Sequence, residues 1–241
     1  MFNKVIAFDV WGDYAMFRYS YTNASEMTYD FPPRTTISGL IACILGYEQN
    51  SYHDVFSEEN SLIGLRIMNP VNKINFNYNN LNTKTKRGFL GKAKNPRLRV
   101  HSELLKDVKY RIYVSFKDED LLEELFNMLK EHRSVYTPYL GKAFCNCDFK
   151  LAYPEIFDLT MRPVDDEGVN IDSVLVSDGD NYSLIKNNPN KTFATIKHPG
   201  YMTNDRVVTK YINHIYVPTG DSVKITSGCY CPVGEDNIVL Y

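Results

Sequence analysis

The chain has 241 residues, of which 44% are hydrophobic and 23% charged, and its 27 basic and 29 acidic residues leave a net charge of −2. These values exclude a disordered or fibrous chain, and the length allows one large domain or two small ones. No apolar run approaches the ~18 residues of a membrane helix. Residues 1–9 read as a strand, without the apolar stretch and small-residue cleavage site of a signal peptide. A cytoplasmic protein with no membrane contact is therefore expected. Taken alone, the near-neutral charge argues against nucleic acid.

Residues 5–10 are rich in β-branched and aromatic side chains and predict a buried strand. Residues 15–19 predict its extension after a turn at Gly12-Asp13. Pro32 and Pro33 then stop the extended chain, and Thr35 or Thr36 is placed to cap a helix. Ile37, Leu40, Ile41, Ile44 and Leu45 give that helix one apolar face, and Gly46 is its expected stop. Residues 62–68 predict a second strand and 108–116, which alternate cleanly, a third. Residues 118–132 predict a helix with Leu121, Leu122, Leu125, Phe126 and Leu129 on one face. Its acids open it and its bases close it, as the helix dipole favours. Residues 147–153 supply a fourth strand.

The order β-α-β-β-α-β over residues 1–155 predicts an α+β, ferredoxin-like domain, the order also found in the RNA-recognition fold. Residues 156–241 hold short β-like runs at 173–176, 192–197, 207–217, 223–226 and 238–240, broken by Gly, Pro, Asn and Asp. They predict a β-rich C-terminal extension packed on the first domain.

The net charge hides a segregation. Residues 60–102 contain no acid and nine bases, +9, which leaves −11 on the other 198 residues. Seven of the nine (Lys84, Lys86, Arg87, Lys92, Lys94, Arg97 and Arg99) crowd into 84–99. Gly88, Gly91 and Pro96 make that stretch a loop or a loose hairpin, inserted between the second and third strands. A compact basic loop on an acidic body is a footprint for polyanions. Phe76, Tyr78 and Phe89 flank or punctuate it, and a ring stacks on a nucleobase for ~1–3 kcal/mol. The competing reading is a solvated charged loop, the commoner fate of a charge run.

Other constellations weigh less. Cys145-x-Cys147 and Cys229-x-Cys231 can be assembled into a four-thiolate zinc site, but zinc ligands usually stand two to four residues apart. Core packing accounts for them equally well, as for Cys43, and five cysteines in this length suit a reducing compartment. Of the five histidines, His101 borders the basic loop and can pair with Tyr78 or a nearby Lys for metal-independent RNA cleavage. The run 178–181 fails the calcium-loop pattern at Tyr182 and Pro189. Residues 39–46 lack the Gly-Lys-Ser/Thr of a phosphate loop. The Asn-x-Ser/Thr sites at Asn23, Asn181 and Asn190 mean little in a cytosolic chain. Arg34, Thr35 and Thr36 open a helix, where free N–H groups favour a phosphate, with plain capping as the simpler alternative.

Several runs together resemble a known family. Phe8-Asp9-Val10-Trp11-Gly12-Asp13-Tyr14-Ala15-Met16-Phe17-Arg18 resembles the opening strand and "Ala-x-Phe-Arg" of the CRISPR-associated Cas-five family. Pro32-Pro33-Arg34-Thr35-Thr36, continuing through Gly39-Leu40 to Leu45-Gly46, resembles its first helix. Tyr139-Leu140-Gly141-Lys142 is similar to its later Leu-Gly-Arg/Lys turn, and Tyr216-Val217-Pro218-Thr219-Gly220 to its tail. The resemblance spans nearly the whole chain, and among subtypes the type I-B form is most similar. It implies a non-catalytic subunit, without cofactor or metal, of a type I Cascade surveillance complex. Such subunits cap the crRNA 5′ handle, contact the large subunit and the first backbone subunit, and meet target DNA through the complex. Their extended hairpin, the thumb, lies over the crRNA; here it corresponds to about residues 77–99. The resemblance carries over the seven bases of that segment with Phe89, and Arg18, Arg34 and Lys142 from the matched motifs. One branch of the family, in type I-C, is itself an endoribonuclease that cuts repeat RNA, which is the rival reading. A third is a generic interaction protein whose basic loop meets acidic partners.

Overall fold

A computed structural model describes residues 1–22, 25–177 and 192–241. The first part of the chain runs through β1 (Lys4–Ala15), β2 (Ser25–Glu26), α1 (Arg34–Leu45), β3 (Ser61–Ile67), β4 (Lys73–Leu81), α2 (Lys86–Phe89), β5 (Arg97–Phe116), α3 (Glu119–Lys130) and β6 (Asp148–Leu151). The remainder is β7 (Phe157–Asp158), β8 (Arg162–Pro163), β9 (Val169–Ile171), β10 (Leu175–Val176), β11 (Ala194–Met202), β12 (Val208–Tyr216), β13 (Val223–Ile225), β14 (Cys229–Val233) and β15 (Asp236–Ile238). The protein is mixed α/β, rich in sheet and poor in helix. Among the described residues no helix is long and apolar enough to cross a membrane.

The central sheet has β1 and β5 side by side and antiparallel, with β6 on the free edge of β1 and β3 on β5. α1 lies between β1 and β3 in sequence, and α3 between β5 and β6. Alternation along the strands sends Ile6, Phe8 and Val10 to one face with Ile112, Val114 and Phe116, where Ile37, Ile41 and Ile44 of α1 and Leu122, Leu125 and Leu129 of α3 close over them. α1 ends where Gly46 takes the left-handed conformation, φ 85°, and its N–H returns to the Ala42 carbonyl. Asp118 caps α3, its carboxylate accepting from the N–H groups of Asp120 and Leu121.

Three expectations need correction. β1 runs unbroken through Gly12, so residues 15–19 do not extend it after a turn; Arg18 instead makes a single bridge with Thr28. Gly12 serves close packing, because a Cβ there would meet the Asn146 carbonyl oxygen at 2.7 Å. α1 starts two or three residues earlier than expected, with Pro33 at its N-cap and no side-chain cap from Thr35 or Thr36. The third strand begins eleven residues earlier than the expected 108, and the basic segment is the tip of the hairpin that it closes. β5 is 20 residues long and begins at Arg97, and with β4 it forms a continuous projecting hairpin whose tip holds α2.

The opposite face of the central sheet is half covered by the C-terminal part of the chain. Val5, Ala7 and Tyr113 pack against Cys231, Val233 and Ile238. The hairpin β11–β12 packs elsewhere, with residues of β11 against α1. Val174 and Tyr216 join the main core cluster, so the C-terminal strands share the first domain's interior. The cysteines do not converge: Cys145 belongs to the main cluster and Cys231 to the one behind the sheet. No metal-ligating cluster occurs among the described residues. The run 178–181, Tyr182 and Pro189 and the sites at Asn23, Asn181 and Asn190 lie wholly or partly outside the described residues.

Candidate nucleic-acid interface

The β4–β5 register gives the hairpin two chemically distinct faces. Asn77 pairs with His101, Tyr78 with Val100, Asn79 with Arg99, Asn80 with Leu98 and Leu81 with Arg97. Paired residues share a face and successive residues alternate. One face therefore carries Phe76, Tyr78, Leu98 and Val100, and the other carries Asn75, Asn77 and Asn79 with Arg97, Arg99 and His101. The Phe76 and Tyr78 rings stack, with centroids 5.9 Å apart.

The tip adds the remaining charge. Thr85 caps α2, its hydroxyl accepting from the Gly88 N–H at 3.0 Å. Gly88 fits there because a Cβ would run into the Asn82 carbonyl oxygen. Around this turn stand Lys84, Lys86, Arg87, Lys92 and Lys94, all exposed, with Phe89 60% exposed beside them. None of the seven bases between 84 and 99 is ion-paired to an acid among the described residues. The hairpin is thus a two-stranded ladder with a cationic tip, a basic-and-amide face and an aromatic face.

Glu26 organises the root of the hairpin. β2 pairs in parallel with β5, Ser25 beside His101 and Glu26 beside Ser102. The Glu26 carboxylate accepts from Ser102 Oγ at 2.8 Å, Tyr78 Oη at 3.2 Å and Lys142 Nζ at 3.0 Å, with Arg18 Nη1 at 3.6 Å. Burial pushes its pKa up, but Lys142 and the two hydroxyls outweigh burial and hold it below the usual carboxylate range. Lys142 reaches Glu26 because Gly141, φ 85°, lets the Leu140-Gly141-Lys142 turn press onto the Met16 carbonyl. Met16 N–H donates back to Leu140 O at 3.0 Å. Arg18 also donates to the Thr22 carbonyl.

The sequence-predicted residues therefore separate into three groups. The seven thumb bases and Phe89 come together on the projecting hairpin. Arg18 and Lys142 meet at its root on a shared carboxylate. Arg34 is elsewhere, and its expected role as a phosphate contact is corrected. It is 1% exposed, and its guanidinium donates to Phe56 O, to Ser61 O at 3.0 Å, to Ser61 Oγ at 2.8 Å and to Tyr241 O, with the Tyr201 ring 4.2 Å away. The pairing of His101 with Tyr78 is also corrected. The pleat points them to opposite faces, where His101 Nδ1 is 2.6 Å from Asn77 Oδ1 and Tyr78 bonds Glu26. Glu26 itself gave no sequence signal, because its partner strand lies 76 residues away and its own strand is two residues long.

A family model described as CRISPR-associated protein (Cas_Cas5) matches residues 5–196. No curated protein sequence matches the chain. Among solved structures, one titled "CRISPR RNA-guided surveillance complex" is similar with a TM-score of 0.56 and 14% identity over 91% of each chain. A CRISPR protein from Archaeoglobus fulgidus is similar with a TM-score of 0.57 and 14% identity, covering 99% of this chain and 98% of that one. The fold is thus that of these CRISPR proteins, and the family match over most of its length shows that the chain belongs to the CRISPR-associated Cas5 family.

Proposed function

We propose that this chain is a non-catalytic, RNA-binding subunit of a type I CRISPR surveillance complex in the cytoplasm, holding the crRNA 5′ handle. The observation that carries this reading is the β4–β5 hairpin, whose seven exposed bases stand free of acids on a body that is otherwise acidic. Phosphates would lie along Lys84, Lys86, Arg87, Lys92, Lys94, Arg97 and Arg99, with Phe89 available to a base and Arg18 and Lys142 at the hairpin root. The partners would be the large subunit and a backbone subunit, with target DNA met through the assembly, and the subtype type I-B. The strand order β3-β5-β1-β6, antiparallel throughout, supports a ferredoxin-like domain over 1–155, with 156–241 as its β-rich extension.

Electrophoretic shifts with handle RNA and a scrambled strand test the proposal. Lys84, Lys86 and Arg87 changed together to Ala should weaken handle binding. They should also flatten the plot of log K against log[salt] by about 2, since each single-strand phosphate contact contributes ~0.7. Unchanged affinity and slope would remove the hairpin from RNA binding, and equal affinity for the scrambled strand would favour a generic polyanion contact. In the same tubes with EDTA, labelled repeat RNA should stay intact. Specific cleavage would replace this reading with the endoribonuclease one, against which the opposite orientation of Tyr78 and His101 counts.

A further inference from the structure

The outer face of the central sheet, opposite the helices, is covered over only part of its length. The C-terminal strands close over Val5, Ala7 and Tyr113. Asp9 and Trp11 continue that face along β1, since successive residues of a strand alternate. Beyond the covered part, a recess of about 830 Å³ opens between Trp11, Lys109, Lys150, Tyr153 and the end of α3 at Lys130. Its size falls in the range of small-ligand sites, ~300–1,000 Å³.

Trp11 is the one tryptophan of the chain and is half-buried. Among the described residues its indole N–H has no acceptor and its ring no aromatic partner. A ring of this size ordinarily finds one or the other. The walls around it are fixed. The Tyr153 hydroxyl bonds Asp236 Oδ2 at 3.1 Å and its ring stands 5.2 Å from the Arg111 guanidinium. Asn69 Nδ2 donates to the Asp107 carbonyl at 2.8 Å.

The charges around the recess divide into engaged and free. Asp9 is held by Arg111 Nε at 2.7 Å, with Lys109 at 3.6 Å. Asp107 lies 3.6 Å from Lys106. Asp148, opposite Trp11 in the β1–β6 pair, lies 2.7 Å from His132 Nε2. Lys130, Lys150 and Asp13, which also line the space, have no ion-pair partner among the described residues. The recess therefore offers one unpartnered ring, two free ammonium groups and one free carboxylate.

We infer that this recess binds a ribonucleoside monophosphate, its base stacked on Trp11, its phosphate met by Lys130 and Lys150, and its ribose hydroxyls donating to Asp13. An aromatic side chain stacks on any nucleobase, because every base has a π-face. Ammonium groups form charge-assisted hydrogen bonds to phosphate, and a carboxylate accepts from ribose hydroxyls, as in dinucleotide sites. None of the seven thumb bases lines this space, so the site stands whether or not the thumb binds RNA. A free nucleotide suits it better than a strand. The chain outside residues 60–102 carries −11, which opposes a row of phosphates, whereas two lysines suffice for one. An acidic peptide would meet the lysines but leave Trp11 without a planar partner.

Trp11 supplies the readout, because fluorescence excited at the red edge of indole absorption reports this residue alone. The full chain is titrated with adenosine, cytidine, guanosine and uridine monophosphates, with the matching nucleosides and 2′-deoxynucleotides, and with a short RNA oligomer. At least one ribonucleoside monophosphate should quench Trp11 saturably. Its nucleoside should bind about tenfold more weakly, and its 2′-deoxy form more weakly than the ribo form. Lys130→Ala combined with Lys150→Ala, both exposed, should weaken binding about tenfold. By calorimetry, Trp11→Ala should lose about tenfold and Trp11→Phe less, since it keeps a ring. Lys84, Lys86 and Arg87 changed to Ala should leave nucleotide binding within about twofold. No saturable quenching up to about 10 mM, or quenching indifferent to both lysines, overturns the inference. Equal binding of ribo and deoxy forms overturns the ribonucleotide assignment. Quenching by the RNA oligomer alone, abolished by the three thumb changes, also overturns it and makes the recess part of an RNA track.

Discussion

Arg34 and Lys86 carry the same charge and sit in matched or basic stretches, yet their surroundings give them different work. Lys86 is exposed on a turn without an acid nearby. Arg34 is enclosed, and burial lowers its pKa by more than Tyr201, Tyr241 and Glu58 raise it; neutral carbonyls at Phe56, Ser61 and Tyr241 take its donors. It ties the start of α1 to the start of β3 and to the C-terminal residue Tyr241. Arg34→Met keeps most of the volume but leaves those carbonyls without donors, each costing ~1–3 kcal/mol where buried. The expected outcome is a loss of about 2–4 kcal/mol in urea unfolding, with RNA affinity of the folded variant within about twofold of wild type, measured by fluorescence anisotropy. Weaker RNA binding at unchanged stability would restore Arg34 to the interface. Sequence shows Arg34 before a helix, which suits a phosphate or a structural tie equally. The segments that surround it are 22 to 207 residues away, so no local pattern distinguishes the two.

Among the elements, the two long helices are legible because their apolar spacing and end residues agree. Ile37, Ile41 and Ile44 point inward, and Asp118 and Gly46 stand where a cap and a stop belong. The start of β5 is less legible for a physical reason. Arg97-Leu98-Arg99-Val100 alternates as a strand should, but Gly91, Pro96 and the dense charge around it carry the signature of a loop. The hairpin forms because the aliphatic half of that alternation meets Tyr78 and Asn80 on one face of β4. β11–β12 gives a pH-dependent prediction. His198, opposite Ile212, and His214, opposite Ile196, are diagonal neighbours across this hairpin with ring centroids 5.2 Å apart; both are buried, and His198 lies edge-on to Tyr29 and Phe31 with centroids 4.5 Å apart. Burial, with a smaller push from His214, lowers the His198 pKa to about 2. An unfolded histidine titrates near ~6.5, so the unfolded chain binds the extra proton between these values. Stability is full above pH ~6.5 and falls as the pH drops below it, at up to about 1.4 kcal/mol per pH unit for this one group. His198→Phe, flanked by aromatic rings, should remove that slope between pH ~6 and ~4.5 in denaturant titrations. An unchanged acid limb would mean that His198 does not stay neutral in the folded state.

For the whole molecule, net charge describes neither the interface nor the interior. The cationic hairpin projects from the body, while an ionic network fastens the C-terminal strands to the back of the sheet. Arg111 Nη1 donates to Asp236 Oδ2 at 2.9 Å and its Nε to Asp9 Oδ1 at 2.7 Å; Arg66 bonds the other oxygen of Asp236, and Tyr113 Oη donates to Oδ2 at 2.6 Å. None of this is legible in sequence, because Arg66, Arg111 and Asp236 converge only through sheet register and the packing of β15. The sheet face that an RNA-recognition fold can offer to bases is here partly closed by this attachment, which leaves the projecting hairpin as the prominent cationic surface. Asp236 is therefore a joint between the halves of the chain. Burial raises its pKa, but Tyr113, Arg111 and Arg66 overcome this and hold it below the usual carboxylate range. Its contribution is present above the unfolded value of ~3.9 and is lost as the pH falls through the lower folded one. Asp236→Ala leaves Arg66 and Arg111 partly buried without a shared anion, a change of about 3–5 kcal/mol when a buried pair is broken on one side. Asp9 still faces Arg111 and Asp172 still lies 3.7 Å from Arg66, so the lower end, about 3 kcal/mol, is expected. Asp236→Asn keeps the shape and some of the hydrogen bonds and should lose less. Thermal unfolding of the two variants, with hydrogen exchange at β14 and β15, measures this. Equal stability of wild type and Asp236→Ala, with β15 still protected, would show that apolar packing of Cys231, Val233 and Ile238 alone holds the C-terminal strands on the sheet.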